Sequence, residues 1–86
     1  MKLYFVKYEY IVNAERYLDK LKYYIECEFD KYVDEYERIC GDIIKLTNAL
    51  DNAKANAIGY RCRANWNDYS IIKNANDTRE LMDLML

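Results

Sequence analysis

We predict a mainly α-helical protein, and three features of the sequence lead to that class. The chain has 86 residues, the length of one domain, and 52% of them are hydrophobic, which is too apolar for a disordered chain. It contains no proline, so long helices are permitted. Apolar residues recur three or four positions apart from residue 14 to residue 58. We therefore expect residues 1–86 to form a single domain around a long central helix.

The central helix is expected over residues 14–58. Asn13 is suited to cap its first turn, and Gly59 is suited to the left-handed conformation that ends many helices. Within this span a strict heptad pattern favours packing in a helical bundle or a coiled-coil dimer. We predict an oligomer seam of Phe29, Tyr32, Tyr36, Ile39, Ile43, Leu46 and Leu50. A four-residue step from Ile25 to Phe29 precedes the heptads and would locally unwind a coiled coil.

Gly41 leaves two structures open for the central helix. A glycine inside a helix costs about 1 kcal/mol relative to alanine, and Asp42 behind it can cap a second helix. If the helix continues or bends gently, it is about 65 Å long, and the flanking segments are too short to cover it. A dimer or a larger partner would then bury the seam. If the chain breaks at Gly41, the helix folds into an intramolecular hairpin instead.

The two flanking segments also allow alternatives. Residues 2–12 are rich in aromatic and β-branched residues, and they fit a short N-terminal strand as well as a helix. At the other end of the chain, Asp77 or Thr78 can cap a short C-terminal helix. The segment before it fits either a hairpin that turns at residues 67–68 or a helix led by Asn65.

Acidic residues concentrate in the central helix. Residues 14–42 contain nine acids and five bases, whereas residues 60–79 contain four bases and two acids. On a helix the acids would form two columns beside the seam, with carboxylates about 5–6 Å apart, near the spacing of successive phosphates in a nucleic acid. We expect a partner-binding surface made of Glu26, Glu28, Asp30, Asp34, Glu35, Glu37, Tyr24 and Tyr36. Tyrosine suits such a surface because it combines an apolar body with a polar tip.

Arginines alternate with aromatic residues in the segment 60–79, a pattern that can bind phosphates and stack bases. Its candidate residues for contact with nucleic acid or a neighbouring subunit are Arg61, Arg63 and Trp66. The segment is short, and the chain has a net charge of −2 and a pI near 5.1. The sequence therefore does not favour direct nucleic-acid binding.

The composition does not predict an enzyme. The chain has no histidine and two glycines, and it contains no nucleophile elbow or phosphate-binding loop. Cys27, Cys40 and Cys62 have the spacing of neither a zinc site nor a disulfide framework, so we expect reduced thiols, no metal and no cofactor. The chain has no apolar run near the ~20 residues of a membrane span and no signal-peptide pattern, which predicts a protein of the cytoplasm of the producing or host cell.

Small size and an acidic, aromatic surface give this chain a general resemblance to phage-encoded inhibitors such as anti-CRISPR and anti-restriction proteins, with no shared motif. We predict a non-enzymatic interaction protein that inhibits or modulates a larger partner, its acidic helix face occupying a basic nucleic-acid-binding surface. The alternative is a structural or adaptor coiled coil whose role is its own oligomerisation. A third hypothesis is a weak nucleic-acid binder that acts through residues 60–79.

Overall fold

The fold is built from helices that fold back on one another beside a two-stranded sheet. The computed structural model describes residues 2–85, and the side chains of residues 2–78. The elements of this part of the chain are β1 (Tyr4–Val6), α1 (Tyr8–Cys27), two 3-10 turns (Phe29–Lys31 and Val33–Glu35), α2 (Tyr36–Ala55), β2 (Cys62–Ala64) and α3 (Trp66–Met85). The predicted mainly α class is confirmed.

The N-terminal segment contains both of the structures that its sequence allows. Strand β1 pairs with β2 in antiparallel fashion, with Phe5 opposite Arg63, so the predicted short strand is confirmed. The helix begins at Tyr8, ahead of the predicted start at residue 14. Asn13 therefore lies inside α1, where its side-chain amide donates to Asn76 Oδ1 of α3 at 3.1 Å instead of capping the helix.

The interruption of the central helix differs in place from the predicted one. The chain leaves α1 at Glu28 and resumes helix at Tyr36, so Gly41 lies within α2. The connecting residues include closely spaced acids, which repel one another on a helix, together with aromatic and β-branched residues that favour helix less. Folding back also lets the apolar faces of α1 and α2 pack together. The four-residue step from Ile25 to Phe29 marks this break.

Gly59 takes the left-handed conformation that its place in the sequence predicts, with φ of 63°. It does so in a turn beyond the helix, because α2 ends at Ala55. The backbone N–H of Ile58 donates to the carbonyl of Arg61 at 3.0 Å, and the N–H of Arg61 donates back at 3.1 Å. Glycine at the first of two central positions is what a tight type II′ turn requires.

The C-terminal segment forms one helix from Trp66, so the helical alternative for residues 60–76 is correct and the hairpin at 67–68 is not. Its cap is Asn65, whose side-chain oxygen accepts from the backbone N–H of Asp68 at 2.8 Å. Asp77 and Thr78 lie inside this helix, and the predicted short C-terminal helix is its last part. The apolar side chains beyond residue 78 lie outside the described ones.

The core lies where the three helices contact one another and the inner face of the sheet. Helix α2 contributes Leu46, Ala49, Leu50 and Ala53, all at most 3% exposed. Leu46 and Leu50 belong to the predicted seam, whereas Ala49 lies outside it. The remaining core residues are Ile11, Ala14 and Leu18 of α1, Ile72 and Ala75 of α3, and Val6 and Ala64 of the sheet. A helical bundle is thus formed within one chain; a coiled-coil dimer stays a prediction.

Candidate protein-binding surface

The end of the bundle opposite the sheet is an acidic turn, which we call the acidic tip and define as residues 23–38. It comprises the end of α1, the two 3-10 turns and the start of α2. Between Glu26 and Glu37 the sequence has six carboxylates and a single base, Lys31. All eight residues predicted to bind a partner lie in this segment, so the fold keeps them at one place in the molecule.

The carboxylates of the acidic tip surround a turn instead of forming columns on a helix. Glu26 lies on α1, Asp30 and Asp34 lie on the two separate 3-10 turns, and Glu37 lies on α2. The two predicted columns required a continuous helix through residues 28–35, so that part of the prediction is corrected. What remains is a group of mostly exposed acids distributed over the turn and the two helix ends that flank it.

Aromatic side chains lie among these carboxylates and are partly open to solvent. Phe29 is 44% exposed and Tyr36 is 41% exposed, and their rings meet edge to face with centroids 5.3 Å apart. Tyr24 and Tyr32 form a second pair with centroids 4.6 Å apart. Val33, half exposed, adds an aliphatic group. The tip therefore combines an apolar centre with an acidic surround.

The predicted seam divides into two halves at the start of α2. Ile39, Leu46 and Leu50 are buried, and Ile43 packs against the core from a partly buried position. Phe29 and Tyr36 stay exposed, and Tyr32 is half buried. One half of the heptad pattern thus packs inside the chain, and the other half forms the apolar part of the acidic tip.

The surroundings of two phenols of the tip raise their pKa values above the ordinary value for tyrosine. Partial burial raises the pKa of Tyr24, and the neighbouring Tyr32 and Glu28 raise it further. The neighbouring Cys40 side chain raises the pKa of Tyr36, chiefly through a side-chain hydrogen bond. Both phenols therefore remain hydrogen-bond donors at neutral pH.

The carboxylates of the tip are weakly compensated by nearby cations. Arg38 Nη2 lies 2.8 Å from Glu35 Oε2, an exposed ion pair of a kind that stabilises by about 0–1 kcal/mol. Among the described side chains, no other carboxylate of the tip has an ion pair within 4.0 Å. Glu26 also lies in the last turn of α1, where the helix dipole disfavours negative charge and no basic residue offsets it. The acids at this end of α1 are thus placed unfavourably for the stability of the free protein.

The predicted basic candidates lie at the opposite end of the molecule, around the sheet. The guanidinium of Arg61 lies 5.8 Å from the centre of the Phe5 ring. Arg63 Nε donates to the carbonyl of Asn56 at 2.9 Å. Trp66 is exposed and stacks on Tyr69, with ring centroids 5.9 Å apart. The N-terminal strand brings Phe5 to these residues, a contact that sequence reading did not find.

A shallow groove of about 320 Å³ runs between the helices in the middle of the molecule. Its lining residues are Tyr17, Asp42, Lys45, Leu46, Ile71, Asn74, Ala75 and Thr78. Burial raises the pKa of Tyr17, Asp42 raises it further, and Arg38 acts in the opposite direction. Across the described residues, no group of three histidine, cysteine or carboxylate side chains is arranged to hold a metal ion.

Comparisons with known proteins found no relative of this chain. No protein-family model matches the chain, and neither a curated protein nor a solved structure is detectably similar to it. Of the helices in the described part, none has the length and apolar character needed to cross a membrane.

Proposed function

We propose that this protein is a non-enzymatic interaction module whose acidic tip binds a basic surface on a larger protein. The observation that carries the proposal is the exposed aromatic pair of Phe29 and Tyr36, which lies in a segment with six carboxylates between Glu26 and Glu37. Binding surfaces commonly combine an aromatic centre with a polar rim, and the aromatic side chains supply most of the binding energy.

The placement of charge supports a binding role over a structural one. Glu26 in the last turn of α1 opposes that helix's dipole and lowers the stability of the free protein, whereas Glu37 in the first turn of α2 is favourably placed. A cationic partner would neutralise that charge and steer association through long-range attraction. Acids crowded on a turn resemble the phosphates of a nucleic acid in charge, so the finer proposal is that the partner's target surface is a nucleic-acid-binding one. Occupation of that surface would inhibit the partner.

Site-specific photo-crosslinking tests this proposal directly. Tyr36→p-benzoylphenylalanine places a photo-reactive ring at the tip, and Tyr8→p-benzoylphenylalanine places one on an exposed site at the first turn of α1. In lysate of the producing or host cell, we expect the tip variant to crosslink a protein that the control variant does not. The captured protein is then purified for binding measurements.

Charge reversal separates specific binding from general attraction. We expect Asp30→Lys with Asp34→Lys to weaken binding to the captured protein at least tenfold. The matched control is Asp19→Lys with Asp51→Lys, which changes the net charge equally at exposed sites outside the tip. Added nucleic acid should compete for the partner. Equal losses in the two double variants would refute the proposal.

If the protein were instead an oligomerising coiled coil, the crosslinking experiment would give a different product. The exposed half of the seam, Phe29 and Tyr36, would then lie against a second copy. Light scattering would report a dimer, and the crosslinked product of the Tyr36 variant would be this chain itself.

A further inference from the structure

The small sheet has one buried face and one exposed face. Val6 and Ala64 point inward and are at most 5% exposed. Phe5 points outward and is 62% exposed, with Arg63 directly opposite it on β2. Arg61 lies beside the same ring at 5.8 Å. The outer face therefore presents an aromatic ring with the Arg61 guanidinium beside it and Arg63, which donates to the Asn56 carbonyl, on the neighbouring strand.

A second exposed ring lies close to the sheet at the start of α3, beside Tyr4, whose side chain alternates to the face opposite Phe5. Trp66 is 64% exposed, and its position is held by edge-to-face contact with Tyr4 at 5.8 Å and by stacking on Tyr69. Lys2 lies 5.3 Å from the centre of the Tyr4 ring. We call this end, residues 2–7 and 58–66, the basic end.

The charge of the basic end is independent of the acidic tip. Its charged residues are Lys2, Lys7, Arg61 and Arg63, and the nearest acids in sequence are Glu9 and Asp68, in the first turns of the adjoining helices. Helix α1 separates the two ends by its 20 residues, or about 30 Å. Screening reduces electrostatic interactions beyond about 8–10 Å at physiological salt, so the tip does not cancel attraction at the sheet.

We propose that the basic end binds single-stranded nucleic acid. A single strand that passes around the edge of the sheet would stack bases on Phe5 and on Trp66, while Arg61, Arg63 and Lys2 would contact phosphates. Exposed rings beside cations are the combination that single-strand binding uses, because every base offers a flat face and every nucleotide a phosphate. The inference goes beyond the proposed function and does not depend on it.

Three features favour this ligand over an acidic protein. The rings of Phe5 and Trp66 are exposed on a strand and on the first turn of a helix, and the cations near Phe5 are guanidinium groups, which stack as well as pair. Phe5 also joins the segment 60–79 to the N-terminal strand. The basic surface is therefore larger than the segment 60–79 alone. That segment was too short for the sequence to favour nucleic-acid binding.

Binding is measured with fluorescein-labelled dT20 by anisotropy and by the emission of Trp66, the only tryptophan in the chain. We expect dT20 to quench this emission, since a base stacks on the indole. Three phosphate contacts predict that affinity falls roughly 20-fold between 50 and 200 mM salt. A 20-base-pair duplex, whose bases are not free to stack, should bind at least tenfold more weakly than dT20.

Variants distinguish stacking from charge. Phe5→Leu keeps an exposed apolar side chain and removes the ring, and we expect it to weaken dT20 binding at least fivefold. Arg61→Glu should weaken it at least tenfold, whereas Lys22→Glu, an equal charge change on an exposed residue far from the sheet, should change it less than twofold. Circular dichroism establishes that each variant is folded.

Other outcomes would overturn the inference. If the protein bound the duplex and dT20 with equal affinity, it would be a general binder of anions. The same conclusion would follow if polyglutamate displaced labelled dT20 as well as unlabelled dT20 does and Phe5→Leu had no effect on binding. Absence of binding at 50 mM salt would also reject it. A third outcome is that the protein does not bind dT20 but associates with itself, and that Asp30→Lys with Asp34→Lys abolishes this association. The basic end would then bind the acidic tip of a second copy.

Discussion

The acidic tip and the basic end are both exposed aromatic surfaces with charge around them, yet the chain builds them differently. The tip comes from one continuous segment, residues 23–38. The basic end joins the first residues of the chain to β2 and the start of α3, more than 50 positions away. The tip depends on local sequence and a helix break, whereas the basic end exists only when the sheet has formed.

The largest expected effect concerns the two halves of the heptad pattern. Leu46→Ala removes a side chain that is 3% exposed in the core, and we expect it to lower the free energy of unfolding by about 2–5 kcal/mol. Phe29→Ala at the tip should cost less than about 1 kcal/mol, because that ring is already 44% exposed. Urea unfolding measures both. Similar costs would mean that the tip belongs to the core.

The two glycines should respond in opposite directions to alanine. Gly59→Ala forces a left-handed φ on a residue with a side chain, and we expect a loss of about 1–2 kcal/mol together with weaker dT20 binding. Gly41→Ala lies in open space within α2 and should stabilise by about 0.5–1 kcal/mol without changing the binding of either ligand. Thermal unfolding of the pair is the check. If Gly41→Ala lowered the stability, α2 would not be a regular helix at that position.

Much of the acidic tip and part of the basic end were predictable from sequence: Arg61, Arg63 and Trp66 were candidates, whereas Phe5 and Lys2 were not. The tip residues are neighbours in the chain, so their composition alone indicated a surface. The break at 28–35 was harder to place, because Gly41 is a familiar helix breaker and the signal at Ile25–Phe29 is only one irregular step. Phe5 could not be assigned to the basic end, since its pairing with Arg63 joins distant segments and both strands are short. Burial of the sheet's inner face decides that pairing.

Glu26→Lys should separate stability from binding at the tip. The substitution places a cation in the last turn of α1, and we expect it to stabilise the free protein by about 0.3–1 kcal/mol at low salt. Binding to the crosslinked partner should nevertheless weaken. Asp19→Lys, in the middle of the same helix, is the control and should change both quantities less. If Glu26→Lys strengthened partner binding, the acidic surround would not be part of the interface.

The smallest expected effect is a loss of stability at alkaline pH, caused by ionisation of Tyr17 in the middle of the molecule. Burial raises the pKa of Tyr17 above its ordinary value of about 10, so the folded protein holds this proton more tightly than the unfolded chain does. The contribution is complete below pH 10 and is lost as pH rises through the folded-state pKa. Tyr17→Phe should therefore lose less stability than the wild type between pH 9 and pH 11. Tyr60→Phe, at a fully exposed site, should behave like the wild type.

A crossed binding titration tests most directly whether the two ends act separately. The wild type, Asp30→Lys with Asp34→Lys, and Phe5→Leu are each titrated against the crosslinked partner and against dT20 at 100 mM salt. We expect the tip variant to lose at least tenfold affinity for the partner and less than twofold for dT20. Phe5→Leu should show the reverse pattern. If either variant lost equal affinity for both ligands, the result would contradict the proposal that the two surfaces are independent.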